Sequence, residues 1–358
     1  MWHDRRLIDL LGIEHPIIQA PMAGSTTPAM AAAAANAGCL GSLGCAFMTP
    51  DGYSSAYEQS RQGTNRRLNM NFFCHKEPRQ DADKAAAVRA RLQPLFDELD
   101  AGEVPEVVPT NFPYGAEIHA AVLASRPGVV SFHFGLPGAR FVKDLKQVGT
   151  VILSSATTPA EAKDLEARGV DAVIAQGWEA GGHHGYYLTE TGSQTGTMAL
   201  VPQVVDAVSV PVIAAGGIAD GRGIAAALAL GAAGVQIGTA FLSTAEAAIA
   251  PAHRRALAAS DGTDTRPTKA FSGRPARGIK NRYMDAMEAH EDMLPDFPLM
   301  NTVTAPTRKA SAAKDSQDFM SLWAGQAVGL NRESTMAELV ETLVAETQAV
   351  LANLVKGA

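Results

Sequence analysis

Residues 211–242 read PVIAAGGIADGRGIAAALALGAAGVQIGTAFL, and one pattern occurs twice in them. A short β-branched run, Val212-Ile213 and later Val235 with Ile237, ends each time in glycine: Gly216-Gly217 first, Gly238-Thr239 second. A helix-like Ala/Leu segment lies between. Strand, turn, helix, strand, turn is the unit of a parallel sheet. Glycine at both strand ends removes side chains where a phosphate must approach backbone N–H groups, and a helix start after Thr239 adds a favourable dipole. Such glycines also serve tight turns alone. Two of them at the seventh and eighth strands, where barrels of this kind hold phosphate, favour the phosphate reading.

Working outward, the same unit recurs upstream. HPIIQAPM (15–22), GCLGSLG (38–44), RLNMNFF (67–73), GVVSFHF (128–134), TVILSSA (150–156) and VDAVIAQG (170–177) read as strands one to six. VPVIAAGG (210–217) and AGVQIGT (233–239) are the seventh and eighth. Pro28 stands at N1 of the helix after the first strand, and Thr158-Pro159-Ala160-Glu161 reads as a capping box whose helix stops at Gly169. Eight strands alternating with helices predict a (β/α)8 TIM barrel. An open doubly wound sheet fits less well, because no Gly-x-Gly-x-x-Gly follows the first strand.

Two regions break the repeat. The barrel is expected over 1–244, with a charged helical insertion at 76–118 whose charges form a solvated face. Residues 245–320 are expected to form a smaller, mainly helical lobe over the C-terminal mouth of the barrel. The arginines of its stretch RPTKAFSGRPARGIKNR (266–282) could reach a phosphate or an acidic substrate, but they are expected on a solvated lobe surface. Residues 321–358 end in an amphipathic helix that opens on a Thr335/Glu338 capping pair and is expected to pack back on the barrel.

The 358 residues are 46% hydrophobic and 19% charged, ordinary for a globule with a large core. A net charge of −7 argues against nucleic-acid and anionic-membrane partners, both of which need a basic face. The opening MWHDRRLIDLLGIEHP lacks a secretory signal, and the apolar stretch 28–44 is too short and Gly-rich to span a bilayer. Cys39, Cys45 and Cys74 show neither zinc spacing nor a disulfide framework, which points to a reducing cytoplasm. A homodimer is left open.

Active sites of TIM barrels lie at the C-terminal ends of the strands. Met22, Asn71, His133, Gln176 and Gly216-Gly217 stand at those ends and form a ring of polar or small groups. In SFHFGLP (131–137), alternation puts His133 on the face opposite Phe132 and Phe134. His133 is therefore expected in the mouth, and both phenylalanines outside under the helices. Glu179, His183 and His184 share a Gly-rich loop rather than a helix, so no metal site is expected. His184 is expected at the surface or one layer behind the site.

The 211–242 stretch resembles the flavin-mononucleotide branch of these barrels. With HPIIQAPMAG (15–24), NMNFF (69–73), FHFGLP (132–137) and AQGWEAGGHHG (175–185), the chain resembles the nitronate monooxygenase family from about residue 7 to 330. The resemblance implies FMN as cofactor and oxidation of alkyl nitronates, such as propionate 3-nitronate, by O2. The products would be a carbonyl compound and nitrite, formed through a flavin semiquinone. It implies His133 as the catalytic residue, taking a proton from the carbon beside a nitro group or offering positive charge to a nitronate.

Cofactor contacts follow from the same resemblance. Met22, Ala23 and Gly24 would meet the isoalloxazine, Asn71 and Gln176 its polar edge, and Gly181, Gly216, Gly217, Gln236, Gly238 and Thr239 the ribityl chain and phosphate. Met22, His133 and His183 would line the substrate space. Related flavin barrels acting as NAD(P)H:quinone or enoyl reductases generally lack the strand-four histidine, so its presence favours the nitronate branch. A flavin-free phosphate-binding aldolase or isomerase is the other alternative; no lysine at a strand end supports a Schiff base.

Overall fold

The two glycine-ended runs of 211–242 are neighbouring parallel strands in the computed structural model, which describes residues 2–110 and 112–356. Positions 1, 111, 357 and 358, parts of the expected 1–244, 76–118 and 321–358 segments, lie outside the described residues. In chain order the strands are β1 (Ile17–Gln19), β2 (Gly41–Gly44), β3 (Leu68–Phe73), β4 (Val129–His133), β5 (Val151–Ala156) and β6 (Ala172–Gln176). They continue with β7 (Gly182–His183), β8 (Val212–Ala215), β9 (Gly234–Ile237), β10 (Thr265–Thr268) and β11 (Ala276–Ile279). Eight of them form one parallel sheet in the order β1-β9-β8-β6-β5-β4-β3-β2. A bridge between Ile18 and Leu40 brings the two ends together, and the sheet becomes a TIM barrel.

Period-two alternation sorts the side chains of each strand. On β4, Val130 and Phe132 pack outward among the helices, with Ile152, Val173 and Val235 of other strands. Val129 faces inward with Leu153, Ile174 and Ile213. The helix Arg6–Leu11 plugs the N-terminal end of this interior with Leu7, Ile8 and Leu11. Gly234 permits that plug: a Cβ there would fall 2.4 Å from Leu7 Cδ2 and 2.6 Å from Pro16 O. Towards the mouth the interior turns polar, through Asn69, Asn71, Ser131 and Ser155.

Helix starts follow local chemistry. Thr27 caps the helix Pro28–Asn36 by accepting from Met30 N. Thr158 likewise accepts from Glu161 N, but the return half of the expected capping box is not made. Glu161 Oε2 instead accepts from Thr157 N at 2.7 Å, while Oε1 accepts from Tyr187 N at 2.7 Å. The carboxylate is buried, so it ties a second segment to the helix start rather than closing on its own cap.

The helix Ala82–Leu99 turns Val88, Leu92, Phe96 and Leu99 onto Phe271, Tyr283, Met300 and Phe319, so the charged insertion supplies one wall of a second apolar cluster. That cluster also carries an antiparallel sheet, β10-β11-β7, which no periodicity announces because β7 is two residues long. The helix Met336–Lys356 lies against the helices Gly221–Ala229 and Pro28–Asn36. Its capping pair is reciprocal: Thr335 N donates to Glu338 Oε2 at 2.8 Å, and Glu338 N to Thr335 Oγ1 at 3.3 Å. Among the described residues no helix is long and apolar enough to cross a membrane.

Candidate active site

Between the C-terminal ends of the barrel strands and the second cluster lies a cavity of about 430 Å³. Its barrel wall is made by Asn71, His133, Gln176 and Gln236 at strand ends, and by Met22, Ala23 and Gly24 after β1. Gly216-Gly217 and Gly238-Thr239 form its floor on the β8 and β9 side, and Gly181 and His183 reach it from the loop after β6. Every site residue expected from sequence thus lines one space.

His133 faces inward at the last position of β4, half-buried. Its Nε2 lies 3.1 Å from the His183 carbonyl, which can only accept, so Nε2 carries the hydrogen. Nδ1 lies 2.6 Å from Ser155 Oγ and accepts from it. Burial pushes the imidazole down to about 4, despite the favourable carbonyl, and the positive charge of Arg274 adds to the shift. The ring is neutral at physiological pH.

Phe132 is outside, packed on Tyr114 at 5.1 Å, but Phe134 is not. The strand stops at His133, and Phe134 has a left-handed backbone (φ 68°) that breaks the alternation. Its ring lies tilted against His133 at 4.5 Å and edge-to-face with Phe73 at 4.9 Å, with the Arg274 guanidinium 4.2 Å above it.

The loop after β6 is held over the mouth from both sides. Gln176 Nε2 donates to His183 O at 3.0 Å, and its Oε1 accepts from Gly185 N at 2.8 Å. This amide is therefore engaged by the protein, leaving one N–H for any cofactor edge. His183 pairs with Ala276 of β11, and its Nε2 sits 2.8 Å from Ser272 Oγ. Burial first, then the neighbouring histidines and arginines, holds its ring well below the ordinary histidine range. His184 is not at the surface: it is buried against Trp178 at a ring separation of 4.4 Å. Glu179 caps the helix Thr197–Val205, accepting from Thr197 N at 2.8 Å and Thr197 Oγ1 at 2.9 Å.

The walls suit a flat, phosphate-bearing cofactor. Gly216 has φ 104°, and a Cβ there would approach Ala180 N to 3.0 Å and narrow the floor. Gln236 Oε1 is buried with no protein partner among the described residues, an acceptor awaiting a donor. Thr239 Oγ1 accepts from Gly325 N at 2.9 Å, so its hydroxyl anchors the lobe. The helix after β9 is a single turn, Thr239–Leu242, and offers less dipole than the sequence pattern suggests.

Sequence reasoning missed the lobe's contribution. Trp323, Asn301 and Arg308 add to the lining, and among the described residues Arg308 is its only formally charged side chain and no carboxylate lines the cavity. Arg308 is held by Asn301, whose O and Oδ1 each accept from Nη2 at 2.8 Å. Arg274 and Arg277, expected on a solvated surface, are turned inward. Arg274 lies between the Phe134 and Tyr186 rings, and Arg277 is buried with Nε donating to Trp178 O at 3.1 Å. Ser155 is the one omission with a local signal, a small polar residue on the inward face of an apolar strand.

Comparison with known proteins agrees with this geometry. The sequence profile of the nitronate monooxygenase family matches residues 4–346. A nitronate monooxygenase of Pseudomonas aeruginosa is 44% identical over 347 residues, covering 95% of this chain and 98% of that protein. The nitroalkane oxidase of Streptomyces ansochromogenes superposes with a TM-score of 0.87 at 38% identity, over 98% of this chain and 99% of the other. FabK of Thermotoga maritima superposes at 0.78 with 28% identity, over 99% of each chain.

Proposed function

The chain belongs to the nitronate monooxygenase family and is an oxidoreductase, and from that premise we propose that it binds FMN and oxidises alkyl nitronates with O2. Propionate 3-nitronate is the substrate proposed, with nitrite and a carbonyl compound as products. The observation that carries this reading is the charge of the cavity: one guanidinium, Arg308, and no carboxylate among the described residues that line it. An anionic ligand is attracted there, whereas a cation is not.

Met22, Ala23, Gly24 and the glycine floor at 216–217 and 238 would hold the cofactor, and Gln236 Oε1 would accept from its ring. A bound flavin supplies the electron transfer and the reaction with oxygen. The chain's own residues do the rest. Phe73, Trp323 and Met22 line the cavity and would exclude water from the substrate space. Since His133 is neutral, the positive charge that an anionic substrate meets comes from Arg308, and His133 serves as a base or hydrogen-bond partner. Three free cysteines support a cytoplasmic location.

The test is oxygen uptake and nitrite release by the FMN-loaded protein with propionate 3-nitronate or ethylnitronate and no NADH. Rapid NADH:quinone turnover with both nitronates inert would make it a reductase instead.

A further inference from the structure

Both ring nitrogens of His133 are engaged by the protein, so the imidazole does not meet the cavity through a free nitrogen. The His183 carbonyl takes the Nε2 hydrogen at 3.1 Å, and Gly185 closes the adjoining side: a Cβ there would lie 2.7 Å from His133 Cε1. What remains is Nδ1, covered by Ser155 Oγ at 2.6 Å. Ser155 faces inward from β5 and itself lines the cavity. A hydroxyl both donates and accepts, so it can partner either state of the ring: it donates to neutral Nδ1 and accepts from a protonated one. When it accepts, its own hydrogen can turn towards Phe132 O, 3.5 Å away, or towards the ligand.

We propose that Ser155 is the proton relay between His133 and a nitro compound, resting on the reading of the site given above. Ser155 Oγ takes the proton from the carbon bearing the nitro group while passing its own proton to His133 Nδ1. The C–H electron pair moves into the nitro group, leaving a nitronate. Ser155 ends neutral, and His133 becomes an imidazolium with Nε2–H on His183 O and Nδ1–H on Ser155 Oγ. No oxidant enters this step. The resting ring is unprotonated, so its Nδ1 lone pair can receive the proton, and the His183 carbonyl on Nε2–H offsets part of the burial cost of the imidazolium that forms.

The FMN-loaded wild type, Ser155→Ala and Ser155→Thr are compared on nitroethane and on preformed ethylnitronate. Ser155→Ala should lose on the order of 10²–10³ in kcat/KM with nitroethane and about tenfold less than that with ethylnitronate. Ser155→Thr, which keeps the hydroxyl, should recover nitroethane activity to within about tenfold of wild type. In ¹⁵N spectra of histidine-labelled protein, Ser155→Ala should move the His133 Nδ1 resonance downfield and leave Nε2 in place. Equal losses on both substrates, no rescue by threonine, an unmoved Nδ1, or a wild type that consumes ethylnitronate but never nitroethane would each overturn the relay. A wild type inert to both substrates would instead sink the nitronate reading.

Discussion

The barrel wall and the lobe roof face each other across one cavity, and they differ in how they are built. The wall is neutral and polar, set by parallel register: Asn71, His133, Gln176 and Gln236 occupy inward positions near the ends of β3, β4, β6 and β9. The roof is aromatic and cationic, assembled from residues far apart in sequence. His183 pairs with Ala276 of β11, and Phe297 packs on it at 5.3 Å; Arg308 comes from the helix Leu299–Ala313. In the account proposed here the wall handles cofactor and proton, while the roof selects the substrate's charge. Substitutions on the two sides should therefore fail differently.

The largest effect is expected on the wall. His133→Asn should keep FMN but lose on the order of 10²–10⁴ in rate with neutral nitroalkanes, and less with preformed nitronates. Equal activity on both forms would make His133 a packing residue. On the roof, Arg308→Met should lower kcat/KM for propionate 3-nitronate by about 10²-fold, the equivalent of about 3 kcal/mol for hydrogen bonds to a charge. Ethylnitronate, which lacks a carboxylate, should lose about tenfold less. Steady-state kinetics on both substrates separate the two, and equal losses would erase the distinction between wall and roof.

The last effect is on stability rather than on rate, and it involves both sides. His133 and His253 are pushed down to about 4 and His184 to about 3, all mainly by burial. These rings stay neutral in the fold while the unfolded chain protonates near pH 6.5, so the unfolded state binds more protons below that pH. Stability should be level above pH 7 and fall between pH 6.5 and about 4, by about 1.4 kcal/mol per pH unit for each ring. Denaturant midpoints across that window check it. A flat profile would mean that the rings are charged or solvated in the fold.

The wall was legible in the sequence because its cause is local. Eight short, mostly apolar runs with turn residues after them place the strand ends, and period-two alternation puts His133 inward and Phe132 outward. Phe134 escaped that rule because a left-handed backbone before Gly135 ends the alternation one residue early. The roof was not legible, for a matching reason. Arg274 and Arg277 sit in a Pro- and Gly-rich stretch whose composition reads as surface, and only pairing with the loop after β6 turns them inward. Arg308 lies on a helix with no motif, and its place over the cavity depends on how that helix packs. Ser155 lay between: its inward, polar position on β5 was readable, but its partner was not.

The central claim is that this cavity oxidises nitronates through FMN without an external reductant, and an anaerobic titration tests it most directly. The purified, FMN-loaded protein is mixed with propionate 3-nitronate in the absence of oxygen, and its visible spectrum is followed. The account predicts that the nitronate reduces the bound flavin and that admitting oxygen restores the spectrum with release of nitrite. Flavin that stays oxidised with nitronate but bleaches at once with NADH would contradict it.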